Sequence, residues 1–448
     1  MFSRFQSKAE IKVENADLVL EGRGHQCTGV RGKIYDYYVE TSSHSISDLS
    51  PAQSLSPTHS LSPAHSLSPT HSLSPTFGPY ETETSFDTQL LGLANIMETV
   101  LESLTGKLDL GNCLEALVLA KRYRHGALRQ AALRVMSDNF LQVLRDPALY
   151  GQLKAGERDH IQRQRMSGRR CLMVADMESP DWSRYTWHLQ CQIPQEVLSK
   201  GCAMCTLDNY LFVAAGFQGT GRLAVPSKKV FCYNPVTSIW TEICPMNEAR
   251  PHCKLVSLQT HVYAIGGECL STVERYDPRT NRWSFTAPLP NETFAVAHQA
   301  TACNGELFVS GGTLRYTLLR YNPKTDAWKQ SVMVGSRERT VEMVAVRNSL
   351  YRFDVNSSMG ISVHRYNAVS RLWYECYNKR MAHCPAFQCV AMDDIIYCVS
   401  RQFTLRFLAD DVTPGFVAED LKVLSAAKGI LFPSVLALPD KSTLQTRV

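Results

Sequence analysis

The chain has 448 residues, of which 44% are hydrophobic and 20% are charged, and its formal net charge is +5 at pH 7. This length exceeds one ordinary domain, and the composition is that of a globular protein. A charge this small does not by itself indicate nucleic acid as a partner. Since no apolar run is long enough to span a bilayer and the polar N-terminus lacks a signal core, we expect no membrane association and a cytoplasmic location.

Residues 1–85 are predicted to be a disordered tail with Ser-Pro repeats. Its centre, SLSPTHSLSPAHSLSPTHSLSPT, interrupts helix and sheet with regular prolines, and its Ser, Thr and His residues supply no core. Each Ser-Pro pair fits proline-directed phosphorylation, and a repeat without a regulatory role is the simpler interpretation. Upstream, KIYDYYVE (Lys33 to Glu40) is the only aromatic cluster of the tail. Both a short docking strand and disorder fit this segment.

Residues 86–168 are predicted to form a small α-helical domain. Apolar residues recur there at i, i+3, i+4, i+7, i+8 and i+12, which gives one stripe along a helix. The members are Leu128, Ala131, Ala132, Val135, Met136 and Phe140. Asp146 followed by Pro147 predicts the N-cap and first turn of another helix. The basic residues are spread around the helices, which favours a solvated face or an acidic protein partner over nucleic acid.

Residues 169–448 carry a repeat marked by tryptophans at intervals of 43 to 53 residues. These are Trp187, Trp240, Trp283, Trp328 and Trp373. In most copies a strand, a glycine turn, a second strand ending in Tyr and Asp/Asn-Pro precede the Trp strand, as in HVYAIGG then VERYDPRTNRW. The turn glycines, which tolerate positive φ, include Gly266, Gly267, Gly311 and Gly312. Each Trp is expected to pack between neighbouring sheets, as in a β-propeller.

The closure of the propeller can be predicted from its two ends. Five units run from about Gly201 to Leu424, and the fifth lacks the repeat glycines and the Trp. FPSVLALPD and STLQTRV are predicted to be the first two strands of a further blade, and CLMVADM and TWHLQ its last two. Joining them would leave only short, protected edges. The predicted fold class is therefore mainly β, a six-bladed propeller preceded by a helical domain and a tail.

The repeat resembles the Kelch motif over roughly the last 280 residues. The helical stretch from NCLEALVLAKRY to LRDPALYGQL resembles the BACK domain that precedes the propeller in BTB-Kelch proteins. The matching positions are Asn112, Cys113, Leu114, Ala120, Leu128, Asn139 and Phe140. In that family a BTB domain precedes BACK and contacts the cullin-3 ligase scaffold, whereas here the Ser-Pro tract occupies that space, so a cullin-3 contact is uncertain. A BACK–Kelch chain with the YDYYVE segment is most similar to the kelch domain-containing 7 group.

No catalytic motif stands out, because GxSxG, GxxxxGK[ST], HExxH and the Rossmann glycines are missing from the sequence. We therefore predict no enzyme activity, no cofactor and no metal. Cys202 and Cys205 lie close together without a second pair at zinc spacing, so packing is their expected role. The other cysteines are scattered, and we expect them to be reduced. Since some Kelch propellers are copper oxidases, a metal-dependent oxidase is a remote alternative.

Loops between blades, and loops after the glycine turns, gather at one mouth of a propeller channel. In this chain they carry basic and aromatic residues: Arg250, His252, Phe294, Arg315, Tyr316, Arg337, Arg339, Arg380 and His383. The Kelch resemblance implies the same face, since such domains commonly use Arg there to bind acidic peptide segments. A ring of Arg suits carboxylates or a phosphopeptide, and pairing of each Arg with a loop carboxylate is the alternative.

The predicted function is therefore protein–protein interaction, in which the propeller captures a peptide of an unidentified partner. A substrate-receptor role in ubiquitination is a further hypothesis within this one. A cytoskeletal, actin-binding scaffold is the alternative, because some Kelch proteins bind actin and the residues alone do not separate the two functions.

Overall fold

Apart from one strand in the N-terminal tail, helices come first along the chain and strands follow. The computed structural model describes residues 32–37, 95–176, 188–197, 199–219, 223–268, 270–290, 297–311, 317–331, 340–356, 360–424 and 430–439. Most of the tail that was predicted to be disordered therefore lies outside the described residues.

The described part of the chain between residues 95 and 166 forms six helices. They are α1 (95–105), α2 (Cys113–Arg122), α3 (Gly126–Asp138), α4 (Phe140–Arg145), α5 (Pro147–Gln152) and α6 (Ala155–Met166). The predicted apolar stripe is confirmed on α3, which buries Leu128, Ala132 and Met136. The predicted N-cap is confirmed as well, since the Asp146 carboxylate accepts hydrogen bonds from two backbone N–H groups at the start of α5. None of the described helices is long and apolar enough to cross a membrane.

Three strands precede the repeats, and five four-stranded antiparallel sheets follow them along the chain. The first three strands are β1 (Gly32–Tyr37), β2 (Arg169–Asp176) and β3 (His188–Ile193). Blade 1 contains β4 (Ala203–Leu207), β5 (Tyr210–Ala214), β8 (Val230–Asn234) and β9 (Ile239–Ile243), with the small hairpin β6 (Phe217–Gln218) and β7 (Val225–Pro226) inserted. Blade 2 contains β10 (Lys254–Leu258), β11 (His261–Ile265), β12 (Val273–Asp277) and β13 (Arg282–Thr286).

The other three blades repeat the same order. Blade 3 contains β14 (Ala297–Cys303), β15 (Glu306–Gly311), β16 (Thr317–Asn322) and β17 (Ala327–Ser331). Blade 4 contains β18 (Thr340–Val346), β19 (Ser349–Asn356), β20 (Gly360–Asn367) and β21 (Leu372–Lys379). Blade 5 contains β22 (Gln388–Met392), β23 (Ile395–Val399), β24 (Thr404–Leu408) and the two-residue β25 (Gly415–Phe416). The last strand of the chain's described part is β26 (Leu431–Leu438).

The structure thus contains five consecutive blades rather than six, and a further four-stranded sheet is assembled from separate segments. Its strand order is β26, β2, β1, β3, and we call it the closing sheet. The predicted closure by two C-terminal and two N-terminal strands is wrong, because one strand comes from the C-terminal region and three precede blade 1. The segment STLQTRV lies outside the described residues. Of the two alternatives for KIYDYYVE, the docking strand is the one observed, as β1.

The innermost strands of the sheets surround a central channel of about 680 Å³. Along this ring β4, β10, β14, β18 and β22 are successive neighbours, and β26 contacts both β22 and β4. The closing sheet therefore lies between blade 5 and blade 1.

The repeat tryptophans hold neighbouring blades together, as predicted. Within their own blades, four of them pack at an angle against the repeat tyrosine, with ring centroids 4.9 to 5.1 Å apart, namely Trp240, Trp283, Trp328 and Trp373. The indole N–H of Trp283 donates to the carbonyl oxygen of Cys244 at 2.8 Å, and that of Trp328 donates to Ala287 at 2.7 Å. Both carbonyls follow the last strand of the preceding blade. Trp187 lies outside the described residues.

Blade 5 lacks the repeat Trp, and Phe416 of its short last strand takes over part of that packing. The Phe416 ring lies 5.1 Å from Phe407 within the blade and 5.7 Å from Tyr377 on the last strand of blade 4. An aromatic contact between blades therefore persists although the sequence repeat has faded.

The repeat glycines differ in backbone position, since some lie in a turn and one lies in a strand. Gly266 and Gly267 have φ values of +65° and +125°, as the predicted turn requires. Gly311 instead ends β15, where it pairs with Thr317, so this strand continues through the predicted turn position. Gly312 lies outside the described residues.

Trp283→Ala is expected to lower the free energy of unfolding by about 3–5 kcal/mol, because it empties a buried site between two blades and removes the hydrogen bond to Cys244. Urea unfolding followed by circular dichroism measures the loss. The matched control is Phe285→Ala on the same strand, where the ring is 53% exposed and the expected loss is well below that of Trp283→Ala. Equal losses for the two variants would contradict the inter-blade role of the Trp.

Candidate functional site

The two mouths of the channel differ because the helices are attached to one of them. Arg165 of α6 donates to the carbonyl oxygens of Asp208 at 3.2 Å and Asn209 at 2.8 Å, in the turn between β4 and β5. Arg145 of α4 donates to the carbonyl oxygen of Pro278 at 3.2 Å, in the turn between β12 and β13. The helices therefore lie at the end where these turns gather. The loops between blades gather at the opposite end, which we call the loop mouth.

His252 is the best-defined candidate at the loop mouth. It lies between β9 and β10 with φ +59°, and its backbone N–H donates to the carbonyl oxygen of Gly201 at 2.8 Å. Its ring centroid lies 6.0 Å from that of Phe217, and its Nε2 lies 3.8 Å from Oε1 of Glu268. Since 61% of its side chain is exposed, the imidazole is available to a ligand. Glu268 was not predicted as a member of this cluster.

Arg250 is buried, so the prediction that it binds a ligand at the surface is wrong. Its side chain has no exposed area, and all of its guanidinium nitrogens donate hydrogen bonds. Nε donates to Glu274 at 2.8 Å, and Nη1 donates to the carbonyl oxygens of Gly266 and Thr272. Nη2 donates to Glu248 and to the Thr272 hydroxyl. Arg250 therefore fixes the loop that carries His252 and does not itself contact a partner.

The carboxylate of Glu274 is equally well satisfied. It accepts hydrogen bonds from the backbone N–H groups of Asn247 and Glu248 as well as from Arg250, and it is fully buried. Gly267 makes room for this cluster, because a Cβ at that position would lie 3.1 Å from Cα of Arg250. The loop between blades 1 and 2 is thus held by charge pairing in the interior.

The remaining predicted site residues fall into two groups. Arg380 and His383 are exposed in the connection between blades 4 and 5. Five others lie outside the described residues: Phe294, Arg315, Tyr316, Arg337 and Arg339. Of the predicted set, the structure therefore places His252, Arg380 and His383 as exposed side chains in inter-blade loops.

A buried carboxyl group in the channel was missed by the sequence reasoning. Glu342 lies on β18, where its Oε1 accepts from the Gln299 side chain at 2.6 Å and its Oε2 accepts from the backbone N–H of Cys389 at 3.0 Å. Burial raises the pKa of Glu342 to about 7, although the hydrogen bond from Cys389, the charge of Lys254 and the hydrogen bond from Gln299 lower it. A glutamate within the apolar strand TVEMVAV was the available signal.

Cys202 and Cys205 line the channel as packed thiols. Burial raises the pKa of Cys202 to about 12, and it raises the pKa of Cys205 further. No disulfide joins the cysteines of the described segments. Within those segments, no three His, Cys, Asp or Glu side chains are grouped as metal ligands.

Arg250→Ala is expected to lower the free energy of unfolding by about 3–5 kcal/mol, because it leaves the buried Glu274 carboxylate without its charge partner. Chemical denaturation measures this loss. The control is the exposed Arg380→Ala, whose effect should stay within about 0.5 kcal/mol. A stable Arg250→Ala protein would show that the buried pair is not structural.

Glu342 should make the fold less stable as the pH rises. Below its ordinary pKa of 4.5 the carboxyl group is neutral in both states, so its contribution is fully present. Between pH 4.5 and about 7 it ionises in the unfolded chain but keeps its proton in the folded channel, and about 3 kcal/mol of stability is lost. In Glu342→Gln this loss should vanish, so the variant should exceed the wild type in stability above pH 7. Thermal unfolding across this pH range, with the exposed Glu268→Gln as control, measures it; equal pH slopes for Glu342→Gln and wild type would contradict it.

Comparison with known proteins assigns the repeat. The model of the Kelch motif matches residues 199–247 and 249–290. Mouse Kelch domain-containing protein 7A is 53% identical over 359 residues, which are 78% of this chain and 46% of that protein. Human Kelch repeat and BTB domain-containing protein 13 is 31% identical over 51% of each chain, and human Kelch-like protein 42 is 29% identical over 41% of this chain and 42% of that protein. The chain thus spans about half the length of the curated relatives it matches.

Proposed function

The chain belongs to the Kelch-repeat proteins and is similar to Kelch domain-containing protein 7A, and from this premise we propose that its loop mouth binds a segment of a partner protein. The predicted resemblance to the kelch domain-containing 7 group is thereby confirmed. Kelch propellers and Kelch-like relatives indicate protein–protein interaction rather than catalysis. The observation that carries the proposal is the exposed His252 cluster, held in place by the buried Arg250, at the mouth opposite the helices.

The proposed ligand is an acidic segment. In the described loops at this mouth, four exposed side chains are basic or imidazole, namely Lys200, His252, Arg380 and His383. They outnumber the exposed carboxylates of Glu196 and Glu268. The sequence adds Arg315, Arg337 and Arg339 in further connections. Guanidinium groups bind carboxylates and phosphates through paired hydrogen bonds, and such contacts give a binding surface specificity for charge.

Replacing Arg337 and Arg339 with Ala is expected to weaken partner binding by about 2–4 kcal/mol, which is roughly 30- to 1000-fold in Kd. Thermal unfolding of the double variant is measured alongside, because a loss of binding supports the proposal only if the Tm is that of the wild type. Affinity purification and proximity labelling in cells identify the partner, and titration of the captured segment at two salt concentrations gives the affinity, which should fall as salt rises.

The matched control for this double variant is Lys324→Ala with Arg282→Ala, two exposed cations on a strand-connecting turn and an outer strand. This control should keep the partners of the wild type. If the double arginine variant keeps them too, the ligand does not bind at the loop mouth, and the helices become the leading surface.

Two finer assignments belong to the proposal. Residues 86–168 are proposed to be a BACK-like domain that connects the propeller, residues 169–448, to a further component. A substrate-receptor role in ubiquitination goes with this assignment. Its support among the relatives is that one of them is a Kelch repeat and BTB domain-containing protein. The same purification tests it, since such a role requires cullin-3 among the proteins captured by the full chain.

The closing sheet is proposed to act as a sixth blade. Its inner strand β26 contacts the inner strands of blade 5 and blade 1, and its outer strand β3 carries Cys191, which packs with Trp240 of blade 1. This arrangement supports a ring in which every blade has two neighbours, as a propeller requires.

A further inference from the structure

The third strand of the closing sheet comes from the tail rather than from the repeat region. In blades 1 to 5 the third strand follows the second along the chain, but in the closing sheet β1 lies between β2 and β3. β1 is antiparallel to both, with Tyr35 paired to Val174 on one side and Leu189 on the other. Because β2 and β3 each run antiparallel to β1, they run parallel to one another. The strands on either side of β1 therefore form a slot for one extended segment.

An empty slot would lower the stability of the closing sheet. A central strand satisfies a row of backbone N–H and C=O groups on each neighbour, and buried groups of this kind are rarely left unpaired. The part of β2 beside β1 is buried, including Leu172, Val174 and Ala175. Removing β1 would leave the backbone groups along one edge of β2 and one edge of β3 without their partners.

The register of the occupant is specified. β1 pairs with β2 from Lys33 opposite Asp176 to Tyr37 opposite Leu172 without a break. Its pairing with β3 shifts between Ile34 and Tyr35, as at a β-bulge. A bulge at a fixed position pins the register, because a slip of one residue would reverse the faces of every side chain.

The length of the covalent connection does not by itself fix β1 in its slot. Residues 38–94 lie between β1 and α1, and a chain of that length can reach roughly 190 Å when extended. β1 therefore remains in place through its own pairing, as a peptide does when it adds a strand to a sheet.

We propose that residues 32–37 are a detachable strand, and that the slot between β2 and β3 is a peptide-binding site occupied in cis by this segment of the same chain. The ligand is an extended peptide with the sequence GKIYDY, recognised by main-chain hydrogen bonds on both edges. This site is distinct from the loop mouth and does not depend on the function proposed for it.

The test uses the full chain with a specific protease site inserted in the Ser-Pro tract near His59. After cleavage of the folded protein, the N-terminal fragment should co-elute with the remainder on size exclusion. Excess synthetic peptide of residues 30–40 should displace it. Separation of the wild-type fragment without added peptide would overturn the proposal.

Tyr35→Pro supplies the contrasting variant, because a central strand requires the N–H that proline lacks. In the cleavable chain this substitution should release the fragment, and in the synthetic peptide it should weaken displacement by roughly tenfold or more. The control is Ser43→Pro, beyond the strand, which should behave as the wild type. Retention of the Tyr35→Pro fragment would show that contacts other than strand pairing hold the tail.

Mixing separates binding in cis from exchange between copies. Two differently tagged full chains are incubated together and left uncleaved, and each should elute at the molecular mass of one chain without co-purifying the other tag. A complex that contains both tags would show strand exchange between copies and overturn occupation in cis.

Discussion

Each blade leaves an apolar face that only the next blade can bury, and this constraint governs the whole propeller. The repeated solution is a two-point contact between neighbours. Asn281 accepts a hydrogen bond from the backbone N–H of Cys244, while the carbonyl of the same Cys244 accepts from Trp283. In the next blade Asp326 and Trp328 hold the N–H and the carbonyl of Ala287 in the same way. The residues of the sequence repeat therefore make contacts between blades as well as form the strands within each blade.

This explains which features could be predicted from the sequence. The Trp strand, the Tyr that it stacks on and the turn between them lie within about a dozen residues, so their pattern is visible locally and predicts the blades. The helix stripe and the Asp146 cap are local in the same sense, and both are found in the structure.

Long-range pairing accounts for the errors. Arg250 was expected to be exposed because it lies in a loop between blades. It is buried because its side chain pairs with Glu274 on β12 of blade 2. A signal was present, because Glu274 stands two residues before the repeat Tyr, where Phe231 and Leu319 occupy the corresponding positions of two other blades. A charge at an apolar repeat position requires a buried partner. The place of β1 had no such signal, since a six-residue strand does not specify which distant strands it joins.

The strand order of the closing sheet also has a consequence for biosynthesis. β26 emerges from the ribosome only after all five blades, although its partner β2 precedes them. At roughly 5–20 residues per second, β2 waits on the order of 10–50 s for that partner. During this interval the growing protein presents unpaired strand edges on β2 and an uncovered face on blade 1, which are the surfaces that promote aggregation. Until the ring is complete, early docking of the tail on β2 would cover one of these edges, because β1 precedes β2 along the chain.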